Sequence, residues 1–258
     1  MNRWIAIAIP IIGVLAIGAL VLGVVYFQET NEPNGVQAEI ASLKAKISAL
    51  EADLADAEAK VLALEVELLV TFPDVNLEAT IREAIDKHEG SIYTFNLEAL
   101  VILEASTRDF WRGMGVYDIG GNNISDITGL EFCVNLLGLY LGGNNISDIS
   151  VLAGLTNLEA LGLSDTNSSD ISALAGLTNL QELYLNDTNI SDISALAGLT
   201  NLQELYLNDT NISDISPLVT NSGLSAGDIV NLSGNPLSAT SVDVYIPQLE
   251  ARGVNIIY

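Results

Sequence analysis

"SALAGLTNLQELYLNDTNISDI" fills residues 172–193 and recurs, letter for letter, at 194–215. A catalytic site is rarely copied in place, whereas a core and a surface are lengthened by repetition. Aligning the "LxLxxN" core outward from this pair puts its second apolar position at Ile119, Leu141, Leu163, Leu185, Leu207 and Leu232, with four intervals of 22 residues and a last of 25. A fixed period of this length predicts a solenoid, here of six stacked turns. The alternation in "LQELYLN" marks one short strand per turn, with Leu205 and Leu207 inward and Glu204, Tyr206 and Asn208 outward. Strands about 4.8 Å apart would give a face roughly 25 Å long. The motif closes on Asn122, Asn144, Thr166, Thr188, Thr210 and Asn235. Asn there satisfies loop backbone groups inside the stack; Thr supplies fewer hydrogen bonds, so the middle turns are expected to be less rigid. Ser168 stands where Ile recurs, which predicts an under-filled third turn.

The chain has 258 residues, is 49% hydrophobic and carries a net charge of −24 with only nine Lys and Arg. Such an acidic field repels phosphate backbones and anionic head groups, which argues against nucleic acid and leaves basic proteins, cations or neutral glycans as partners. Cys133 is the only cysteine, so no intramolecular disulfide forms; a lone thiol is expected as a buried apolar residue.

From Trp4 to Phe27 there are 24 residues without a charge, and about 20 cross the hydrocarbon core. Arg3 precedes the run and Glu29 and Glu32 follow it, so residues 1–3 are expected in the cytoplasm, 4–27 as an uncleaved signal anchor, and the rest outside. "NEPNG" closes a linker at 28–35. Residues 36–70 then read as a coiled-coil stalk: Ile40, Ile47, Leu54, Val61 and Leu68 take position a, and Leu43, Leu50, Ala57 and Leu64 take position d. β-Branched a residues over Leu d residues favour a parallel two-stranded coil. In that coil Glu39 faces Lys44, Lys46 faces Glu51 and Lys60 faces Glu65, while Asp53 and Glu58 repel. A parallel homodimer through 36–68 is therefore expected, spanning roughly 50 Å as helix.

"NNISDITGLEF", "NNISDIS" and "TNISDISPL" resemble the leucine-rich repeat proteins of the bacterial internalin-like, 22-residue class. The resemblance covers roughly 72–258 and implies an α/β leucine-rich repeat solenoid of short parallel strands. It implies a helical cap at 71–106, where "FPDVNLEATIREAIDKHEG" sets Leu77, Ile81, Ala84 and Ile85 on one helical face, then repeats at 107–235 and a closing cap at 236–258. "STRDFWRGMGVYD" at 106–118 is longer than the usual link from cap to first repeat and leaves the register there open.

The only histidine is His88, and no HExxH, Walker or GxSxG motif occurs, so neither an enzyme nor a cofactor is expected. The candidate site is the outward strand face, with Tyr140, Glu182, Tyr184, Asn186, Glu204, Tyr206 and Asn208 as its ligand-binding residues, the three tyrosines forming an interrupted column. Asp126, Asp148, Asp170, Asp192 and Asp214 form a second ladder, each expected to accept backbone N–H bonds in its own turn rather than to bind calcium. The expected function is cell-surface binding of an extracellular protein. A structural role against envelope polymer and a glycan-binding adhesin are the alternatives.

Overall fold

The computed structural model describes residues 34–104 and 121–258. It divides into two units, one ending at Leu68 and one running from Leu69 to Tyr258. The first contains helix α1, Asn34–Leu68, 35 residues long. After Gly35 it is rich in Ala, Leu, Glu and Lys and holds no Gly or Pro, a composition of strong helix formers. It stops before "VTFPD", where β-branched residues and Pro73 disfavour helix. Leu69 and Val70, included in the expected stalk, leave the helix for a strand. Leu43, Leu50, Leu64 and Leu68, all heptad positions, are exposed on the single chain. The Lys60–Asp56 ion pair at 2.6 Å lies in solvent and adds little. Among the described residues no helix is long and apolar enough to cross a membrane; the anchor expected at 4–27 lies outside them.

The second unit opens with a cap. Strand β1 (Leu69–Val70) pairs antiparallel with β2 (Ile92–Tyr93), and helix α2 (Val75–Ala84) lies between them in sequence. Leu77 and Ile81 are fully buried and Ile85 packs on the core, whereas Ala84, expected on the same face, is exposed. Asp74 fixes the start of α2: its Oδ1 accepts from the backbone N–H groups of Asn76 and Leu77 at 2.9 and 3.2 Å. Its Oδ2 accepts from the N–H groups of Ser125 and Asp126, so one carboxylate caps the helix and holds the first repeat loop. Arg82 pairs with Glu78 at 2.7 Å and donates to the carbonyls of Lys87 and Gly90, closing the turn after the helix. Helix α3 (Thr94–Leu97) leads into β3, Ile102–Glu104.

Strand β3 corrects the sequence alignment. It pairs in parallel with β4 (Gly138–Tyr140), Leu103 against Leu139, so the strand next to β4 comes from 102–104 and not from the segment around Ile119. Ile119 and the long link at 106–118 lie outside the described residues. The reason is visible in "VILE" at 101–104, where Leu103 is buried and Ile102 exposed, as strand alternation requires. The sheet then continues in chain order through β5 (Ala160–Gly162), β6 (Glu182–Tyr184), β7 (Glu204–Tyr206), β8 (Ile229–Asn231) and β9 (Asn255–Ile257), seven parallel strands among the described residues. Its length is therefore roughly 29 Å at about 4.8 Å per strand.

Three successive turns return through alike short 3-10 segments, Ser150–Gly154, Ser172–Gly176 and Ser194–Gly198. In these three turns the Asp two residues before it caps the segment by accepting its first N–H at 2.8 Å, and Asp126 and Asp214 accept the N–H two residues on in the same way. The expected structural role of the aspartate ladder is thus what the carboxylates do. Asp148 and Asp170 are held below the ordinary carboxylate range chiefly by the N–H groups of Ser150 and Ser172. A parallel ladder of amides ties turn to turn: Asn157, Asn179 and Asn201 each donate to a carbonyl of the preceding turn at 2.7–2.9 Å.

The Asn-to-Thr substitutions change which groups are hydrogen-bonded. Asn144 accepts from Ile124 N and donates to Leu141 O, linking two turns. The hydroxyls of Thr166 and Thr188 donate to the carbonyls of Leu163 and Leu185, within their own turn. Ser168 is fully buried, its hydroxyl 3.1 Å from the Thr166 hydroxyl and 3.4 Å from Ile146 O. The chain closes with α4 (Ser216–Thr220), α5 (Ile246–Glu250) and β9. Arg252 locks this end by donating to Asn221 O and Val219 O, and Ile246 and Leu249 cover the last leucines of the core.

Candidate functional site

The parallel register fixes which outward side chains become neighbours. Glu182 stands against Glu204 and Tyr184 against Tyr206 across β6 and β7. The two tyrosine rings stack, centroids 5.0 Å apart and planes 12° from parallel. The Tyr184 hydroxyl lies 3.2 Å from a Glu182 oxygen and 3.3 Å from a Glu204 oxygen. Burial, followed by the charges of those two carboxylates, raises the pKa of the Tyr184 phenol far above its usual value and that of Tyr206 in the same direction. Both phenols therefore stay neutral at any physiological pH, and Tyr184 acts as a hydrogen-bond donor.

Along the next outward row, Asn186 accepts from the Ser164 hydroxyl at 2.6 Å and donates to Asp187 at 2.8 Å; Asn208 donates to Asp209 at 2.9 Å. Asp187 and Asp209 hold left-handed backbone, φ 58° and 56°, a conformation that Asp tolerates better than most residues. The tyrosine pair is thus bordered by glutamates on one edge and, beyond the amides, by aspartates on the other. Between Arg112 and Arg252 the chain has no Lys or Arg to offset them.

Tyr140 stands in the same row, separated from Tyr184 by Gly162. Glycines occupy the outward positions beside it, and its ring lies over them: a Cβ at Gly162 would sit 2.9 Å from Tyr140 Cδ1, and one at Gly138 3.4 Å from Cε2. An aromatic ring lying on strand glycines shields backbone that has no side chain of its own. Six of the seven candidate residues are therefore brought together around β6 and β7, and Tyr140 lies two strands from Tyr184 in the same row, beyond Gly162. Sequence reasoning missed Ile102, which faces out at the start of this surface and is 56% exposed; the alternation in "VILE" carried that signal. It also missed Phe132, Val134 and Leu137, exposed apolar residues of the first full turn where Gly154, Thr156 and Glu159 stand in the next.

Outside this face, Cys133 is buried, and burial with the nearby Glu131 charge pushes its thiol up to about 12, so it is a core residue and an unreactive one. His88 is exposed beside Asp86. Among the described residues no group of His, Cys, Asp and Glu is arranged to hold a metal ion.

Comparison with known proteins follows the same lines. A family model described as Leucine Rich repeats (2 copies) matches residues 134–176 and 178–220. A comparison with curated proteins gave no match. Among solved structures, an internalin, inlF, from Listeria monocytogenes is similar at 26% identity and a TM-score of 0.53, covering 72% of this chain and 56% of that one. The chain therefore spans little more than half the length of that relative. Internalin C2 from Listeria monocytogenes is similar at 25% identity with a TM-score of 0.38, covering 72% of this chain and 92% of that one. A leucine-rich repeat protein of Leptospira interrogans is similar at 20% identity with a TM-score of 0.49, covering 55% of this chain and 36% of that one. The chain carries leucine-rich repeats at 134–176 and 178–220 within a sheet of parallel strands, and is structurally similar to an internalin of Listeria monocytogenes.

Proposed function

We propose that the protein is a cell-surface binding module that engages an extracellular protein through the outward face of β5–β8, and that it is not an enzyme. The observation that carries this reading is the stacked Tyr184–Tyr206 pair held beside Glu182 and Glu204. Tyrosines supply large contact area at low entropic cost and are enriched at interface hot spots. The uncharged run at 4–27 serves as a single-pass anchor with the N-terminus in the cytoplasm. Helix α1 joins a second copy in a parallel homodimer, supported by the exposed leucines at its heptad positions and by the complementary charges flanking them. Two solenoids on one stalk gain avidity for a multivalent or membrane-bound partner.

The test compares the full chain, in detergent, with a Tyr184→Ala, Tyr206→Ala double variant whose melting temperature is checked. A protein retained from the native surroundings by the parent and lost by the variant is the expected result. Equal retention of bulk envelope polymer by both would replace this reading with a structural one. Competition by neutral glycan would replace it with an adhesin.

A further inference from the structure

Among the described residues, no basic side chain pairs with the two glutamates of the binding face. Glu182 and Glu204 stand in register on adjacent strands, and like charges directly opposite each other in a sheet repel. Among the described residues the donor that reaches both is the Tyr184 hydroxyl, at 3.2 and 3.3 Å, and a hydroxyl has a single proton to give. No basic side chain occurs anywhere between Arg112 and Arg252. Beside the carboxylates lie two stacked rings whose faces attract cations.

Resting on the protein-binding reading above, we propose that the face of β6 and β7 receives a cationic side chain, foremost arginine, from a basic segment of the partner protein. The guanidinium seats against the Tyr184–Tyr206 pair with Glu182 and Glu204 as its counter-ions. A planar guanidinium matches both features at once, since it stacks on aromatic rings and donates to two carboxylate oxygens; lysine, a point charge, satisfies only part of the site. The other occupants fit worse. A neutral glycan or an apolar segment would cover two ionised carboxylates without supplying a counter-charge, which is costly. An acidic segment would be repelled both here and by the net charge of −24. The aspartates beyond Asn186 and Asn208 extend the same field along the other edge of the tyrosines, so a segment with several basic residues is steered to this strip.

The experiment titrates the full chain with three blocked peptides of alternating glycine and arginine, glycine and lysine, or glycine and glutamine, followed by calorimetry at low salt. Two double variants remove the same charge in different places: Glu182→Gln with Glu204→Gln on the face, and Asp148→Asn with Asp170→Asn on the loop edge, where Asn keeps the acceptor for the turn. The arginine peptide is expected to bind more tightly than the glutamine peptide by at least about tenfold, with lysine between them, and to lose about tenfold in the face variant but less than about twofold in the loop variant. Equal loss in the two variants would reduce the effect to bulk charge and overturn the proposal, as would equal binding of the glutamine peptide or no binding of the arginine peptide. The two readings also fail separately. A partner protein that needs Tyr184 and Tyr206 but is held unchanged by Glu182→Gln, Glu204→Gln leaves the protein-binding reading standing and removes the cationic one.

Discussion

Single residues decide how the turns are joined. Asp74 is the clearest case, because its two oxygens serve helix α2 and the first repeat loop together. Burial alone would raise its pKa, but the N–H groups of Ser125, Leu77, Asp126 and Asn76 outweigh burial and hold it below the usual value. A carboxylate depressed in the folded state contributes stability that is present above its unfolded pKa of about 3.9 and lost as pH falls below that value through the folded pKa. Asp74→Asn removes the Oδ2 acceptor of the Ser125 and Asp126 N–H groups and is therefore expected to lower the melting temperature at neutral pH, at a cost of about 1–3 kcal/mol, and to flatten the acid side of the stability curve below about pH 3.9. Melting followed by circular dichroism across that range checks it; an unchanged acid limb would remove Asp74 as the clamp. Ser168 works the other way. The equivalent residues Ile124, Ile146, Ile190 and Ile212 are fully buried, and Ser168 leaves the isoleucine row broken for the sake of two hydroxyl contacts, one of them long. Ser168→Ile is expected to stabilise by about 1–2 kcal/mol, since apolar burial at about 25 cal/mol per Å² exceeds one weak hydrogen bond. A lower denaturation midpoint would show that the neighbouring turns have already closed over the gap.

At the scale of elements, the sequence was most informative where the pattern repeats and least where it occurs once. The strands from β4 to β8 and their inward leucines follow from the 22-residue period. Strand β3 does not, because the chain between Glu104 and the Asn122 loop interrupts the motif that would have announced it. The stack of Tyr184 on Tyr206 was legible, since an exact duplication must place equal side chains in register. The seat of Tyr140 was not, because it depends on the absence of Cβ atoms at Gly138 and Gly162, a feature of the neighbouring strand. Helix α1 was legible from its heptads alone, and its pairing is open to direct test. Leu50 is 58% exposed at a d position. Leu50→Asp should turn a dimer into a monomer in sedimentation equilibrium, because a buried carboxylate in the seam has no partner. A monomeric parent would instead make α1 a single spacer helix.

For the whole molecule, nearest-neighbour stacking makes a prediction that an ordinary globular fold would not. Residues 194–215 repeat 172–193 letter for letter, so removing 194–215 joins Ile193 to Ser216 without changing the local sequence of any turn. Stability in a solenoid is close to a sum of turn and interface contributions. The shortened chain should therefore fold, with one strand fewer in the sheet and a somewhat lower melting temperature. Its register would put Tyr184 beside Asn231 and Glu182 beside Ile229, since those residues now flank Tyr206 and Glu204 in β8. Both the aromatic stack and the carboxylate pair would disappear while every leucine contact between turns keeps an equivalent. Binding of the partner, and of an arginine peptide, should fall at least about tenfold, the loss expected when paired contacts become single. Circular dichroism and calorimetry on the one variant separate the two outcomes. A folded deletion that binds as well as the parent would place the site elsewhere on the surface. A deletion that fails to fold would show that the turns depend on one another beyond their immediate neighbours. Duplicating this one turn adds both a length of core and the pairing of side chains on which the proposed binding rests, and the deletion is the change that separates those two gains.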